Sequence, residues 1–339
     1  MSPGLLSRFV HGRDKAGPDS MRVAVILLNL GGPESSRRVW RYLYNLFSDP
    51  AIVRLPAPLR QILAGVLATL RAGTTKRLYA RIGSRSALRE RTEEQARALE
   101  ICLGNPDEIK CFTAMRYSSP SIREVLKLTQ EWHPEKIIFL PLYPQYSYVT
   151  TVSGWRELKK HAGKEIPIVP IWSYPEDKGF VTALANLIRL AYEEARQYGT
   201  PRVLFSAHGL PEKIVRDGDP YPIQCEQTVR AIVAALDISD LDWLLCYQSR
   251  MGPFQWLGPA TKDEIEKAAR DKRPLLVVPI SFVSENLETL VEIAMEGKKT
   301  ALTLGAAYFA NVPAVGTEPA FMEGLAGLVR KALSAKAGL

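Results

Sequence analysis

The segment RVLFSAHGLPEKIVRDGDPY, residues 202–221, opens on an apolar run, Val203-Leu204-Phe205, with the length and composition of a buried strand. It then breaks into Ser206-Ala207-His208-Gly209-Leu210-Pro211, where glycine and proline end regular structure. The chain has four histidines, His11, His133, His161 and His208, and the last is expected at the carboxyl end of a strand, inside a tight turn. A lone histidine is more often structural than catalytic. In an open parallel sheet, however, sites form beyond the carboxyl ends of the strands, and imidazole is the side chain suited to taking a proton near neutrality.

Outward from this segment, short apolar runs alternate with amphipathic stretches. Strands are expected at 22–29, 109–114, 136–141, 167–172, 202–207, 242–247, 275–282 and 301–304. Helical patterns cover 35–47, 90–103, 120–131, 177–197, 222–236 and 261–270, with a final helix at about 319–335. Apolar strands alternating with helices predict α/β architecture with parallel sheets covered on both faces. Eight strands divide into two similar Rossmann-like domains of four, with the break in the polar stretch WRELKKHAGKEIP, 155–167. The expected organisation is a loose leader (1–20, with Met21 an equally good start), an N-terminal α/β domain (21–160), a C-terminal one (161–315), and a closing helix (316–339) free to pack on either half.

Composition narrows the function classes. At 339 residues two domains are the prior. No stretch reaches the roughly 18 apolar residues that span a membrane, and 1–20 lacks the apolar core of a signal peptide. The net charge of +8 is scattered without a basic stripe, which argues against a nucleic-acid partner. It suits an anionic lipid surface or a carboxylate-bearing substrate. Cys102, Cys111, Cys225 and Cys246 show no metal-type spacing and read as reduced thiols in a cytosolic protein.

The strand-end loops carry the chemistry. NLGGPESS (29–36) has Gly31-Gly32 but no G-x-G-x-x-G, so a tight turn is the better reading than a dinucleotide site. In SENLETLVEIAMEGKK (284–299), an α-helical advance of 100° per residue puts Glu285, Glu288, Glu292 and Glu296 within an arc of about 80°. Leu287, Leu290, Val291 and Ala294 fall opposite. A solvated acidic face is the ordinary explanation, but lysines at i+4 are missing and the helix leaves directly from a buried strand. Stacked carboxylates suit a divalent cation or a series of proton transfers. Tyr143, Tyr146, Phe254, Trp256 and Phe282 lie in or near these loops, where aromatics would line a slot for a flat apolar ligand. Arg81, Arg116 and Arg250 could pair with its carboxylates. Ser206 lacks a G-x-S-x-G elbow, so acyl transfer is disfavoured.

NLGGPES (29–35), FTAMRY (112–117), PLYPQYS (141–147), FSAHGLP (205–211), GDPYP (218–222), YQSRMGPFQWLGP (247–259) and VPISFVSENLETL (278–290) together resemble the ferrochelatase family, in order and over nearly all of 22–335. The resemblance implies a chelatase-like fold of two four-stranded parallel sheets. It implies insertion of Fe2+ into protoporphyrin IX in the last step of haem synthesis, these two being the substrates. The family's histidine matches His208 and its catalytic glutamate Glu288; both would accept or relay pyrrole protons. His208, Glu288, Glu292 and Glu296 are the expected contacts of the metal. Leu30, Arg81, Arg116, Tyr117, Tyr143, Arg250, Trp256 and Phe282 match positions along the porphyrin cleft. Asn286 stands where the family often has a second histidine, Ala294 where an aspartate is common, and ARIGSRSAL (80–88) replaces a glycine-rich Ser-Pro version. No cofactor is required and no [2Fe–2S] cluster is expected, since the cysteine-bearing tail of animal members is missing. The apolar, arginine-flanked stretch 56–77 resembles the family's active-site lip and suits peripheral contact with the inner face of a cytoplasmic membrane as well as simple packing. Coproporphyrin III or another divalent metal as substrate, and a non-catalytic porphyrin carrier, stay open at this point.

Overall fold

The computed structural model describes residues 21–163, 165–250, 252 and 254–334; the expected leader lies outside the described residues. The first half holds β1 (Val23–Asn29), α1 (Val39–Phe47), α2 (Ala57–Ala80), α3 (Leu88–Leu103), β2 (Ile109–Met115), α4 (Ile122–Glu131), β3 (Lys136–Pro141), α5 (Ser153–His161) and β4 (Ile168–Pro170). After α6 (Lys178–Ala195) come β5 (Arg202–His208), α7 (Glu212–Arg216), α8 (Tyr221–Leu236), β6 (Asp242–Gln248), α9 (Thr261–Arg270), β7 (Pro274–Pro279), α10 (Lys298–Thr303), β8 (Tyr308–Asn311) and α11 (Pro319–Ser334).

The strands form two four-stranded sheets in the orders β2-β1-β3-β4 and β6-β5-β7-β8, every pairing parallel. The halves therefore share one topology, with the first strand flanked by the second and the third. Leu27 pairs with Thr113 and Leu140, and Phe205 with Leu245 and Val278. β1 and β7 are buried at every position because helices cover both faces, which is why they read as unbroken apolar runs.

One apolar cluster runs through both sheets. It joins Val25, Leu27 and Leu140 to Phe205 and Val278 through Phe180, Leu184 and Ile188 of α6 and Phe321, Leu325 and Val329 of α11. The closing helix packs on α6, α3 and β3 and so touches elements before and after the expected break. Buried glutamines add direction to this contact. Gln95 of α3 donates to the carbonyls of Val283 (2.9 Å) and Gly316 (2.8 Å) and accepts from Ser284 (2.8 Å). Gln145 donates to the Ile280 carbonyl (3.1 Å) and Thr228 Oγ1 (2.9 Å).

Two expectations are corrected. Residues 301–304 are not a strand: they close α10 and the turn after it, Ala301 buries against the α9 side, and the eighth strand begins at Tyr308. A four-residue apolar run has no period of its own, so what it packs against decides. The acidic segment is not α-helical throughout either. Glu288–Gly297 is a π-helix, whose i→i+5 bonds rotate each residue less than an α-helix does. Its buried positions are Thr289, Val291, Ile293 and Gly297, whereas Leu290 and Ala294 are only half-buried.

Candidate active site

His208 ends β5, the strand flanked by β6 and β7, so it stands where the chain's crossovers diverge to either side of the sheet. Gly209 makes the turn because an ideal Cβ there would lie 2.7 Å from the Gln248 carbonyl oxygen and 3.3 Å from the Trp256 ring. The His208 backbone N–H donates to Ser281 Oγ (2.9 Å), and its ring meets Phe282 edge-on at 6.0 Å. Burial pushes the imidazole pKa down to about 4, which leaves it neutral at pH 7. Its Nδ1 is buried with no hydrogen-bond partner among the described residues. Ser206, two residues earlier, is fully buried and bonded to Gln248 Oε1 (2.7 Å) and Thr261 Oγ1 (2.8 Å), a core hydroxyl rather than a nucleophile.

The glutamates follow β7. Glu285 anchors the segment, accepting from the Ala314 backbone N–H (2.8 Å) and the Thr289 hydroxyl. Asn286 takes part in a reciprocal cap with Thr289, each backbone N–H bonded to the other's side chain at 3.0 Å. Glu288 has its carboxyl desolvated, which raises its pKa to about 7, with the Glu292 charge adding to the shift. It also lies near enough to Tyr42 of α1 and Tyr79 of α2 to hold both phenols up, after the larger effect of their own burial. Glu292 accepts from Ser249 N (2.9 Å) and Oγ (2.6 Å), and Glu296 pairs with Arg81 at 2.6 Å. The π-helix therefore fans the acids toward different neighbours. Among the described residues no three His, Cys, Asp or Glu side chains converge to hold a resident metal, so the four residues expected to contact iron are spread out rather than clustered.

The other expected site residues lie at the strand ends of the first sheet. Leu30, just past β1, accepts the Tyr117 backbone N–H at 3.0 Å. Gly31, at φ +85°, makes the tight turn expected there, and Gly32 N donates to Ser118 Oγ (3.2 Å). Arg116 and Tyr117 leave β2 and converge on Asp49, a buried carboxylate in the loop after α1 that sequence reading missed. Tyr143 follows β3, half-buried against the apolar side of the first sheet, and burial raises its phenol. Arg250 is exposed and donates to the Leu257 carbonyl (2.9 Å). Arg81 sits at the end of α2, and Arg54, three residues before that helix, pairs with Asp217. Both ends of the α2 lip are thereby tied by charge to the second half. Tyr42 and Tyr79 were missed with Asp49. Nothing local marks them, because their helical positions look like ordinary packing until the two halves meet.

Paired parallel sheets with a histidine at the strand-end switch of one and glutamates on the next segment place the protein in the chelatase class of α/β folds. SirB from Bacillus subtilis, solved with Fe3+, superposes with a TM-score of 0.54 at 13% identity over 93% of this chain and 96% of that one. SirB from Bacillus subtilis subspecies spizizenii, a sirohydrochlorin chelatase in complex with cobalt, gives 0.53 at 12% identity over 92% and 95%. The model of the Ferrochelatase family matches residues 22–333. Ferrochelatase of Caulobacter vibrioides is 42% identical over 94% of this chain and 92% of its own length, and that of a Wolbachia strain of Drosophila simulans 44% identical over 91% and 98%. The chain belongs to the ferrochelatase family, enzymes of metal insertion into porphyrin.

Proposed function

We propose that this enzyme inserts Fe2+ into protoporphyrin IX to give protohaem, with His208 accepting the pyrrole protons and Glu288 passing them on or holding the entering iron. The observation that carries the reading is the neutral, half-buried imidazole whose buried Nδ1 has no partner among the described residues. A buried polar atom left unpaired costs about 1–3 kcal/mol, and a substrate N–H would satisfy it.

As Fe2+ enters the four-nitrogen plane, two pyrrole protons leave and the two N–H electron pairs become Fe–N bonds. A ring held near pKa 4 keeps its lone pair free at neutral pH and releases a captured proton readily. Glu288, titrating near 7, is the partner best matched to take and shed a proton at that pH. Glu292 and Glu296 continue outward from it. Trp256 and Phe282 on one side, with Leu30, Arg116, Tyr117 and Tyr143 on the other, are the proposed grip that bends the macrocycle toward its metallation geometry. Arg81 and Arg250 are exposed and would meet its carboxylates; the Arg81–Glu296 pair is worth at most about 1 kcal/mol and is easily exchanged.

No resident cofactor enters this scheme. Cys111, Cys225 and Cys246 belong to sheet strands or helix interiors, where burial raises their thiols and disfavours the thiolate a cluster needs. No helix among the described residues is long and apolar enough to cross a membrane. The α2 lip exposes Leu59, Ile62, Val66 and Leu70, spaced along one helical face. We place the enzyme in the cytoplasm with this face against an anionic lipid surface. Charge placed on the face tests this directly: Ile62→Glu with Leu70→Glu should abolish co-flotation with phosphatidylglycerol vesicles, and undiminished flotation refutes the lip as the contact.

Anaerobic incubation with protoporphyrin IX and Fe2+ tests the reaction itself, followed by loss of porphyrin fluorescence. Wild type should turn over, and His208→Ala and Glu288→Gln should each lose about 100-fold or more in kcat. Tight porphyrin binding without turnover, unchanged in both variants, would leave a carrier. Faster metallation of coproporphyrin III in the parallel assay would reassign the substrate.

A further inference from the structure

Asp49 has only 4% of its surface exposed, yet its carboxylate serves three separate elements. Its Oδ2 accepts from Arg116 Nη2 (2.8 Å), from the Tyr117 hydroxyl (2.7 Å) and from the Ser153 hydroxyl. Its Oδ1 accepts from the Ala51 backbone N–H (2.8 Å). A carboxylate offers about four acceptor positions; here three donors converge on Oδ2 and one bonds Oδ1. Arg116 and Tyr117 come from the end of β2, Ser153 opens α5, and Asp49 itself lies in the loop that joins α1 to the α2 lip.

The carboxylate is held as firmly as it holds. Its backbone N–H bonds to the Leu46 carbonyl (3.3 Å), and its own carbonyl accepts from Ile52 (3.1 Å) and Val53 (2.9 Å). Ser153 Oγ also accepts from Arg116 Nε at 2.9 Å, so the guanidinium is gripped on two edges. Its other carboxylate neighbour, Glu157, stands 3.9 Å away and bonds instead to His161 (2.9 Å). Charge-assisted bonds of this kind are short, directional and about twice as strong as neutral ones. A bulky, flexible arginine at the cleft wall would otherwise sample many rotamers.

We propose that Asp49 is the positioning residue of the Arg116–Tyr117 wall: one buried carboxylate that locks the guanidinium and the phenol into the single arrangement that receives the porphyrin. This rests on the reading of Arg116 and Tyr117 as cleft wall. Asp49 touches no substrate in it; it acts only through those two side chains. The same carboxylate ties them to the α1–α2 loop, so lip and wall move as one piece.

A double-mutant cycle on protoporphyrin IX binding, read by porphyrin fluorescence without metal, tests it. Asp49→Asn, nearly isosteric, should weaken binding about tenfold, and Arg116→Ala by a similar factor, while the double variant should be weaker than Arg116→Ala by clearly less than tenfold, the remainder passing through Tyr117. Asp49→Glu should recover some of the loss. Wild-type binding by Asp49→Asn, or losses that multiply in the double variant, overturn the proposal while leaving the enzyme reading intact. Failure of wild type itself to bind protoporphyrin overturns that reading and this inference with it. Should Asp49→Asn not fold, Ser153→Ala takes its place in the cycle. It removes the bridging hydroxyl and leaves both charges, and must show the same dependence on Arg116.

Discussion

Desolvating an imidazole and a carboxyl moves their titrations in opposite directions. His208 ionises near 6.5 when unfolded and about 4 when folded, so between these values the unfolded chain binds more protons and stability falls as pH drops. Glu288 goes from 4.5 to about 7, so there the folded chain binds more protons and stability falls as pH rises. The Glu288 displacement is worth of the order of 3 kcal/mol above pH 7. Replacement by the neutral glutamine should therefore raise the melting temperature of the substrate-free enzyme at pH 8, by roughly 4 °C, with the gain shrinking to nothing near pH 4.5. Melts of Glu288→Gln and wild type across that range check it; a gain independent of pH would mean the carboxyl is not desolvated. Stability given up at a reacting group is the usual mark of a functional site. The same carboxyl should set the acid limb of the rate. Turnover in wild type should rise through an apparent pKa near 7, a limb absent from whatever residual rate Glu288→Gln retains.

At the scale of elements, close approach matters more than propensity. α6 and α11 cross so tightly that a Cβ on Gly179 would lie 2.3 Å from the Ala320 carbonyl oxygen and 2.7 Å from Gly324 Cα. Those are backbone atoms and cannot swing aside, so Gly179→Ala must push apart the pair of helices that carries the shared core. A loss of about 1–3 kcal/mol in urea unfolding is expected, against a small gain if only helix propensity counted. Sequence reading found both helices from their periodicity but had no means of seeing that these glycines face each other. The capping box of α4, Ser121 with Glu124, was by contrast a local feature, present in the chain before any contact is made.

For the molecule as a whole, the two sheets do not behave as independent units. They share one apolar cluster, and Gln95 bridges α3 to the turns after β7 and β8. Gln95→Leu would leave the half-buried Gly316 carbonyl and the Ser284 hydroxyl without their bonds to this side chain, the Val283 carbonyl keeping only the Gly316 N–H, at a cost of about 1–3 kcal/mol. Wild type should unfold in a single calorimetric transition, whereas Gln95→Leu should melt earlier and lose porphyrin affinity even though it touches no cleft residue. Unchanged affinity in a destabilised Gln95→Leu would show that the cleft does not depend on this clasp.

The chain's own pattern determined the parallel α/β architecture, seven of the strands, the strand-end position of His208 and the order of the family motifs. These follow from apolar runs, turn residues and spacing, all short-range properties of a polypeptide. Tertiary structure alone decided that 301–304 joins a helix, that the acids fan along a π-helix, that Asp49 is buried beneath Arg116 and Tyr117, and that Tyr42 and Tyr79 come close to Glu288. The physical reason is that burial, desolvation and hydrogen-bond partnership depend on residues as distant in sequence as Asp49 and Ser153. No local pattern encodes which of many acids will be shut away from water.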